Sequence, residues 1–237
     1  MTRRIMFLTV QALALILLSS VAGIAQSQDR ARMAEEIETL RGQLKQKELE
    51  FLSASAEDRV QIAEFLLQRD TGLARLLPRE KYGEKLNLRG GGAYYSFTKL
   101  SNSYDRDTQI GLEQETLSTG FSGADFGFLA SLGDIPLETL GLDQDSVQYL
   151  AAFVPPTIEP EARIQQRRAG IGFEVGHNRY KSRLPLMIGG TYILRGISYE
   201  RFDVLVAFRV VRQDTDGSVI LLWKKLREFP TPYLTRP

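Results

Sequence analysis

The sequence predicts an α+β protein, in which an N-terminal helical extension precedes a mainly antiparallel β domain with two or three short helices. Two observations lead to this prediction. Apolar residues recur at helical spacing after residue 28, whereas residues 86–130 and 202–212 alternate between apolar and polar side chains. The strands are expected to form a meander that packs as a barrel or a sandwich. The expected boundaries are 1–25 for a signal peptide, 26–80 for the helical extension, 81–229 for the α+β domain and 230–237 for an extended tail.

The N-terminus has the order of a secretory signal. Met1 to Arg4 is positively charged, residues 5–18 are mostly apolar, and small residues follow. Cleavage is predicted after Ala25, with Ala22 as the alternative position. A retained anchor over residues 5–25 is the other interpretation, although an apolar run of about 14 residues is shorter than the roughly 20 of a spanning helix. The protein is therefore expected in the periplasm or outside the cell, with membrane contact only if the anchor is retained.

The composition is that of an ordinary globular protein, with 43% hydrophobic and 25% charged residues. The chain has no cysteine and one histidine. These counts exclude disulfide bonds, a lipid-modified cysteine, a thiol nucleophile and zinc or copper sites of cysteine and histidine. No metal site and no cofactor are predicted.

Charge is unevenly distributed along the chain. Residues 91–160 contain 2 basic and 10 acidic side chains, whereas residues 161–237 contain 14 basic and 7 acidic ones. We favour the interpretation that the two parts fold together and neutralise each other. The alternative is a basic surface for an anionic polymer or a lipid headgroup. Binding of nucleic acid is not expected.

The helical extension begins with a predicted helix over residues 29–52. Its apolar stripe has the alternating spacing of a short coiled coil, with Lys47 in one core position. The stripe consists of Met33, Ile37, Leu40, Leu44 and Phe51. Such a stripe fits a partner helix, from a second copy of the chain or from another envelope protein. The equal alternative is a short amphipathic helix that packs on its own domain.

Caps and turns place the remaining elements. Ser55 and Asp58 form a capping box for a helix over residues 56–68, followed by an apolar link over residues 73–77. Further helices are expected from Asp143 or Asp145 to Phe153 and from Glu161 to Ala169, the second ended by Gly170. The predicted strands are 93–100, 108–114, 116–122, 125–131, 191–199, 202–212 and 218–226, the last two joined by a turn at 214–217.

Three arginines alternate with apolar residues in the C-terminal strands. Arg195, Arg209 and Arg212 are predicted to form one outer row, partly neutralised by Asp203 and Glu200. The expected environment of this row is solvent.

Three motifs resemble catalytic or metal sites but lack the required context. Ser96 and Lys99 have the spacing of a serine–lysine pair, yet a predicted strand puts them on opposite faces. Residues 120–124 approach a nucleophile elbow without its last glycine, and the only histidine, His177, lies in a predicted turn. Residues 214–218 begin like a calcium loop but fit a hairpin turn better.

Two glycine- and aromatic-rich segments are the best candidates for a ligand site. Arg89, Tyr94 and Tyr95 flank three consecutive glycines, and Asp125 supplies a carboxylate in the second segment. These four residues are the predicted site where the segments meet, with an anionic or sugar ligand. The alternative is that the glycines serve tight corners and the aromatic residues fill the core.

The predicted function is that of an exported, non-enzymatic binding or interaction module of the envelope. The alternative is a hydrolase of an envelope polymer, with Asp125 paired with Glu113 or Asp203. No catalytic residue is assigned, because the sequence contains no catalytic motif in a suitable context.

Overall fold

The structure is a computed structural model that describes residues 28–102, 104–121 and 123–235. Within these ranges it contains six helices and eleven strands, and the predicted α+β class with a β-rich domain is confirmed. The chain divides into two compact units, residues 1–48 and 49–237. None of the helices in the described part has the length and apolarity of a membrane span. The predicted signal peptide and anchor lie outside the described residues.

The first helix, α1, covers residues 28–52, close to the predicted 29–52. The first unit contains this helix up to Glu48. There the apolar side chains of the predicted stripe are between 44% and 57% exposed. These side chains are Met33, Ile37, Leu40 and Leu44. An amphipathic helix is therefore present, and its apolar face retains about half of its solvent contact.

Glycine at position 42 weakens α1, and alanine there is expected to stabilise the helix. A Cβ atom at Gly42 would have no other atom within 4 Å. Alanine is favoured over glycine inside a helix by roughly 0.8–1.0 kcal/mol, because glycine loses more backbone freedom on folding. We expect Gly42→Ala to increase helicity measured by far-ultraviolet circular dichroism.

The contrasting substitution is Gly72→Ala in the segment that packs on Trp223. It should destabilise the protein, since the new Cβ would lie 2.5 Å from the Trp223 ring. A stability gain from both substitutions would contradict the close packing of Trp223 on Gly72.

The second unit contains all the strands and the shorter helices. Along the chain these are α2 (Ala56–Gln61), α3 (Ala63–Leu66), β1 (Thr71–Leu76), α4 (Arg79–Tyr82), β2 (Tyr94–Tyr95), β3 (Ile110–Glu113), β4 (Thr116–Ser118), β5 (Phe126–Gly133), a 3-10 turn (Leu137–Thr139), α5 (Asp145–Ala152), α6 (Glu159–Ile171), β6 (Phe173–Val175), β7 (Asn178–Tyr180), β8 (Arg183–Pro185), β9 (Thr191–Ser198), β10 (Phe202–Gln213) and β11 (Val219–Glu228). The Ser55–Asp58 capping box begins α2 as predicted.

The strands form antiparallel sheets. Five strands follow the order β1-β11-β10-β9-β5, four follow β2-β3-β4-β8, and β6 pairs with β7. The predicted meander holds for β2, β3 and β4, but β5 crosses into the larger sheet. The hairpin of β10 and β11 closes at 214–217 as predicted, with the Gly217 N–H donating to Asp214 at 2.9 Å and φ of +85° at Gly217.

Four local predictions need correction. The predicted helix 56–68 is divided into α2 and α3, because Ile62 leaves the helical conformation with φ of −120° and ψ of 21°. Residues 71–76 form an edge strand within the range predicted as a helical extension, because β11 supplies a pairing partner that is remote in sequence. The predicted strand 93–100 shortens to Tyr94–Tyr95, since the chain turns back where Ser96 bridges Ser101. Helix α6 continues through Gly170 to Ile171, and Gly172, which has φ of +92°, follows its end.

Two hydrophobic cores lie on opposite faces of the five-stranded sheet. The first is shared with the four-stranded sheet, and the second with α5 and α6. Strand β10 contributes to both, because successive side chains point to opposite faces. Val206 and Phe208 enter the first core, whereas Leu205 and Ala207 enter the second. The helices therefore cover a sheet face that an isolated hairpin would leave in solvent.

The prediction that three arginines form one row facing solvent is wrong for Arg195. Its side chain and that of Asp203 are each only 1% exposed, and the two form an ion pair inside the second core. Arg209 pairs with the exposed Asp134, and Arg212 pairs with Asp58. Arg195 is buried because α5 covers the part of β9 that carries it. The Arg195 guanidinium accordingly donates hydrogen bonds to the carbonyls of Leu150 and Phe153.

Candidate functional site

The two candidate segments approach each other through aromatic side chains. The Arg89 guanidinium lies 5.3 Å from the centre of the Tyr104 ring. That ring lies 4.3 Å from the Tyr94 ring and 6.0 Å from the Phe121 ring. Phe121 in turn lines a narrow cleft together with Asp125. Tyr104 and Phe121 therefore connect Arg89 and Tyr94 to the neighbourhood of Asp125.

Tyr94 is the buried member of this aromatic cluster, and its ring contacts those of Tyr104 and Phe121. Its buried hydroxyl donates a hydrogen bond to Glu113, whose carboxylate also accepts a 2.7 Å bond from Arg79. Burial, and then the hydrogen bond and negative charge of Glu113, raise the pKa of Tyr94 well above its usual value. The hydroxyl is thus fixed inside the protein and does not face a ligand.

The consecutive glycines form a tight corner above that ring. Residues 90–92 all have positive φ, and a Cβ at Gly90 would lie 2.5 Å from the Tyr94 ring. Only glycine fits such a close approach in this backbone conformation without strain. The conformation agrees with the alternative interpretation of this segment, in which the glycines serve the fold.

Tyr95 lies on the other face of β2. It packs in the first core against Phe97, with ring centres 5.3 Å apart. Burial raises the pKa of Tyr95 to about 12. Because neighbouring residues of a strand point to opposite faces, Tyr94 and Tyr95 cannot line one pocket. The structure therefore brings together Arg89 and Tyr94, and separates Tyr95 from them.

Asp125 is half-buried immediately before β5 and lines two adjoining clefts. The wider cleft has a volume of about 210 Å³ and is also lined by Arg106, Tyr199 and Glu200. The narrower one, which Phe121 lines, reaches the buried Thr119. The Thr119 Oγ1 atom has no hydrogen-bond partner within the described residues. The clefts thus combine a carboxylate with a guanidinium, whereas the Thr119 hydroxyl is buried.

The electrostatic state of Asp125 differs from that of the paired acids. Burial raises the pKa of its carboxyl group, although Ser198 and the Tyr199 backbone amide favour the charged form. In the described part of the chain it makes no salt bridge. The nearby Arg201 donates a 2.8 Å hydrogen bond to Asp107 instead. A half-buried, unpaired carboxyl group with a raised pKa is typical of functional sites.

Arg106 completes the wider cleft. Its side chain is exposed, and within the described ranges it forms no salt bridge or hydrogen bond. It is close enough to Asp125 to lower the pKa of that carboxyl group by its positive charge. The guanidinium therefore retains its donors for an incoming group.

Neither carboxylate pair of the hydrolase alternative faces across this cleft. Asp203 is sealed in the second core by Arg195. Glu113 is held by Tyr94 and Arg79, and lines a separate cleft beside α4. The described residues also contain no group of three acidic or histidine side chains suited to a metal ion.

Sequence reasoning missed Tyr104, Arg106, Thr119 and Phe121. Tyr104 and Arg106 lie in one segment, Thr119 and Phe121 lie in another, and the two segments share no motif. A local signal existed only for Phe121, which precedes the glycine-rich segment around Asp125. The chain matches no protein-family model, no curated protein and no solved structure.

Proposed function

We propose that the protein is an exported, non-enzymatic binding module of the envelope that takes a saccharide at the Asp125 cleft. The observation that carries the proposal is the half-buried, unpaired Asp125 carboxyl group beside the exposed Arg106. The signal-like order of residues 1–25 supports export.

A saccharide suits the chemistry of this surface. Sugar hydroxyls need both acceptors and donors, which Asp125 and Arg106 supply. The apolar face of a sugar ring packs on aromatic side chains, and the half-buried Tyr104 and Phe121 adjoin the narrow cleft. A simple anion is less suited, because Asp125 and Glu200 add negative charge to the wider cleft.

The size of the cleft indicates how a saccharide would bind. Its volume of about 210 Å³ is below the roughly 300–1,000 Å³ of pockets that enclose a whole ligand. One sugar unit of a polymer would enter, and its neighbours would lie on the surrounding surface. Binding of this kind fits a module that attaches to an envelope glycan.

Removal of the Asp125 charge should weaken binding of such a glycan. A hydrogen bond to a charged group contributes about 1.5–3 kcal/mol, which corresponds to roughly a 10- to 100-fold change in dissociation constant. We expect the protein to bind soluble peptidoglycan or lipopolysaccharide-core fragments in titration calorimetry, and Asp125→Asn to lose affinity by that factor. Asp134→Asn is the matched control, because that acid is 84% exposed and lies outside the cleft.

Two results would contradict the proposal. One is the absence of binding to every fragment, and the other is unchanged affinity in Asp125→Asn. The same mixtures test the hydrolase alternative. A carboxyl group with a raised pKa, such as that of Asp125, can act as a general acid. Release of new reducing ends by the wild-type protein, but not by Asp125→Asn, would favour the hydrolase over the binding module.

A further inference from the structure

The apolar stripe of α1 has the pattern of a two-stranded interface. Met33, Ile37, Leu40 and Leu44 follow steps of four, three and four residues, and each is between 44% and 57% exposed. Residues spaced in this way form a straight seam that a second supercoiled helix can cover. This surface lies within residues 28–48 and does not involve the Asp125 cleft.

We infer that residues 28–48 pair with the same segment of a second copy of the chain as a parallel, in-register, two-stranded coiled coil. This inference goes beyond the proposed saccharide site and stands independently of it. The occupant and its direction follow from the identity of the core residues and from the charges beside them.

The core residues favour two parallel strands. In heptad notation Ile37 and Leu44 occupy a positions, whereas Met33 and Leu40 occupy d positions. A β-branched residue at a with leucine at d is the combination that favours parallel dimers, and the central pair, Ile37 and Leu40, has it. The central layers therefore match a second copy of the same helix, and Met33 and Leu44 add an apolar layer at each end.

The flanking charges favour the parallel direction. Glu36 is at a g position and Arg41 at the following e position, so each Glu36 would face Arg41 of the partner helix in two symmetric pairs. The antiparallel arrangement that uses the same core places Glu36 near Gln43 and Arg41 near Ala34. It gains neither ion pair, so charge complementarity selects the parallel form.

Arg41 is available for such a pair. Within one chain it contacts Glu38 at 2.6 Å, but both side chains are about 70% exposed. An exposed pair of this kind contributes little to stability. Arg41 could therefore leave Glu38 and pair with Glu36 of the partner helix at little cost in free energy.

The coil should be short and reversible. Lys47 occupies the next d position, where a lysine costs stability. Phe51 lies in the second unit, with its ring 5.6 Å from Tyr82 and 5.3 Å from the Arg75 guanidinium. Four core layers remain, so we expect a reversible equilibrium in which the fraction of dimer rises with protein concentration.

Disulfide crosslinking tests the direction of pairing, and the absence of native cysteine makes it specific. Single cysteines are introduced into the full chain by Met33→Cys or Leu44→Cys, at opposite ends of the seam. A parallel in-register coil brings each residue beside its own copy, within the reach of a disulfide bond. We expect crosslinked dimers at both positions after mild oxidation, seen on a non-reducing gel. Glu35→Cys and Gly42→Cys, on the outer face, are the controls and should not crosslink.

Other crosslinking patterns would overturn the inference. An antiparallel coil would place like residues together only near its centre, so neither Met33→Cys nor Leu44→Cys would crosslink. A monomer would crosslink at no position. Equal crosslinking at the outer positions would indicate random collision.

Charge exchange provides a second test that needs no crosslink. Glu36→Arg or Arg41→Glu replaces two attractive pairs with two repulsive ones, and each should weaken the dimer roughly ten-fold in sedimentation equilibrium at low salt. The double substitution restores both attractions and should recover wild-type association. Glu35→Arg, on the outer face, should have no effect. A double variant as weak as the single ones would overturn the parallel assignment.

Discussion

Replacement of Arg195 by methionine is expected to destabilise the protein by about 3–5 kcal/mol, the usual cost of leaving a buried charge unpaired. Arg195 donates two bonds to Asp203, at 2.8 Å and 2.7 Å, and both side chains are 1% exposed. The same guanidinium donates to the carbonyls of Leu150 and Phe153 and lies 3.8 Å from the centre of the Phe229 ring. It therefore connects β9, β10, the end of α5 and the chain after β11.

Urea denaturation measures this loss. Arg163→Met is the control, because its ion pair with Glu159 joins two side chains that are about half exposed and should contribute less than about 1 kcal/mol. Combined replacement by Arg195→Met and Asp203→Leu removes both charges, and it should recover much of the stability, since apolar pairs often replace buried ion pairs well. A single Arg195→Met variant as stable as Arg163→Met would contradict burial of the Arg195–Asp203 pair.

The pH dependence of the Arg195→Met variant follows from the remaining carboxyl group. Burial raises the pKa of Asp203, and Arg195 acts against this rise. Without Arg195 the native state binds a proton more strongly than the unfolded chain, in which the pKa is about 3.9. Stability then falls as pH rises from that value through the higher native pKa. The deficit of the variant relative to wild type should therefore shrink as pH is lowered from about 7 towards 4.

Loss of the Phe208 ring should have a comparable effect on the other face of the central sheet. Phe208 is fully buried in β10 and stacks on Tyr192, with ring centres 5.2 Å apart and planes 10° apart. It also faces Phe97, from the segment after β2, at 6.4 Å. Phe208→Ala should cost about 3–5 kcal/mol, because it removes buried apolar surface and leaves a cavity between the sheets.

Thermal and urea unfolding of two variants would test this assignment. Phe208→Leu should lose clearly less stability than Phe208→Ala, because more of the volume is retained. Val211→Ala, in the same strand but with valine 42% exposed, should change stability by less than about 0.5 kcal/mol. Similar losses from Phe208→Ala and Val211→Ala would contradict the layered arrangement.

Local rules account for the elements that the sequence predicted well. The alternation in β10, the glycine turn before β11 and the capping box of α2 each depend on residues within a few positions. Helix α1 and the stop of α5 before Pro155 follow from periodicity and proline chemistry. These features need no remote partner, so a single sequence is enough to predict them.

The candidate site was predictable only in part. Asp125 was recognised as a carboxylate near glycine and aromatic residues, and Arg89 and Tyr94 do approach through Tyr104. Tyr95 was assigned to the same site because it flanks the glycines, although the predicted strand 93–100 already puts neighbouring residues on opposite faces. Arg106 and Thr119 approach Asp125 by tertiary folding alone.

Hydrophobic period, caps and turns act over short distances, so they are enough to predict the fold class, the amphipathic α1 and the main hairpin. Which faces are covered depends on packing between elements that are remote in sequence. The alternation in β9 placed Arg195 on one face of the sheet, but α5 made that face an interior. Residues 71–76 became a strand because β11 was there to pair with them. Burial depends on neighbours remote in sequence, and so does the environment that gives Asp125 its raised pKa.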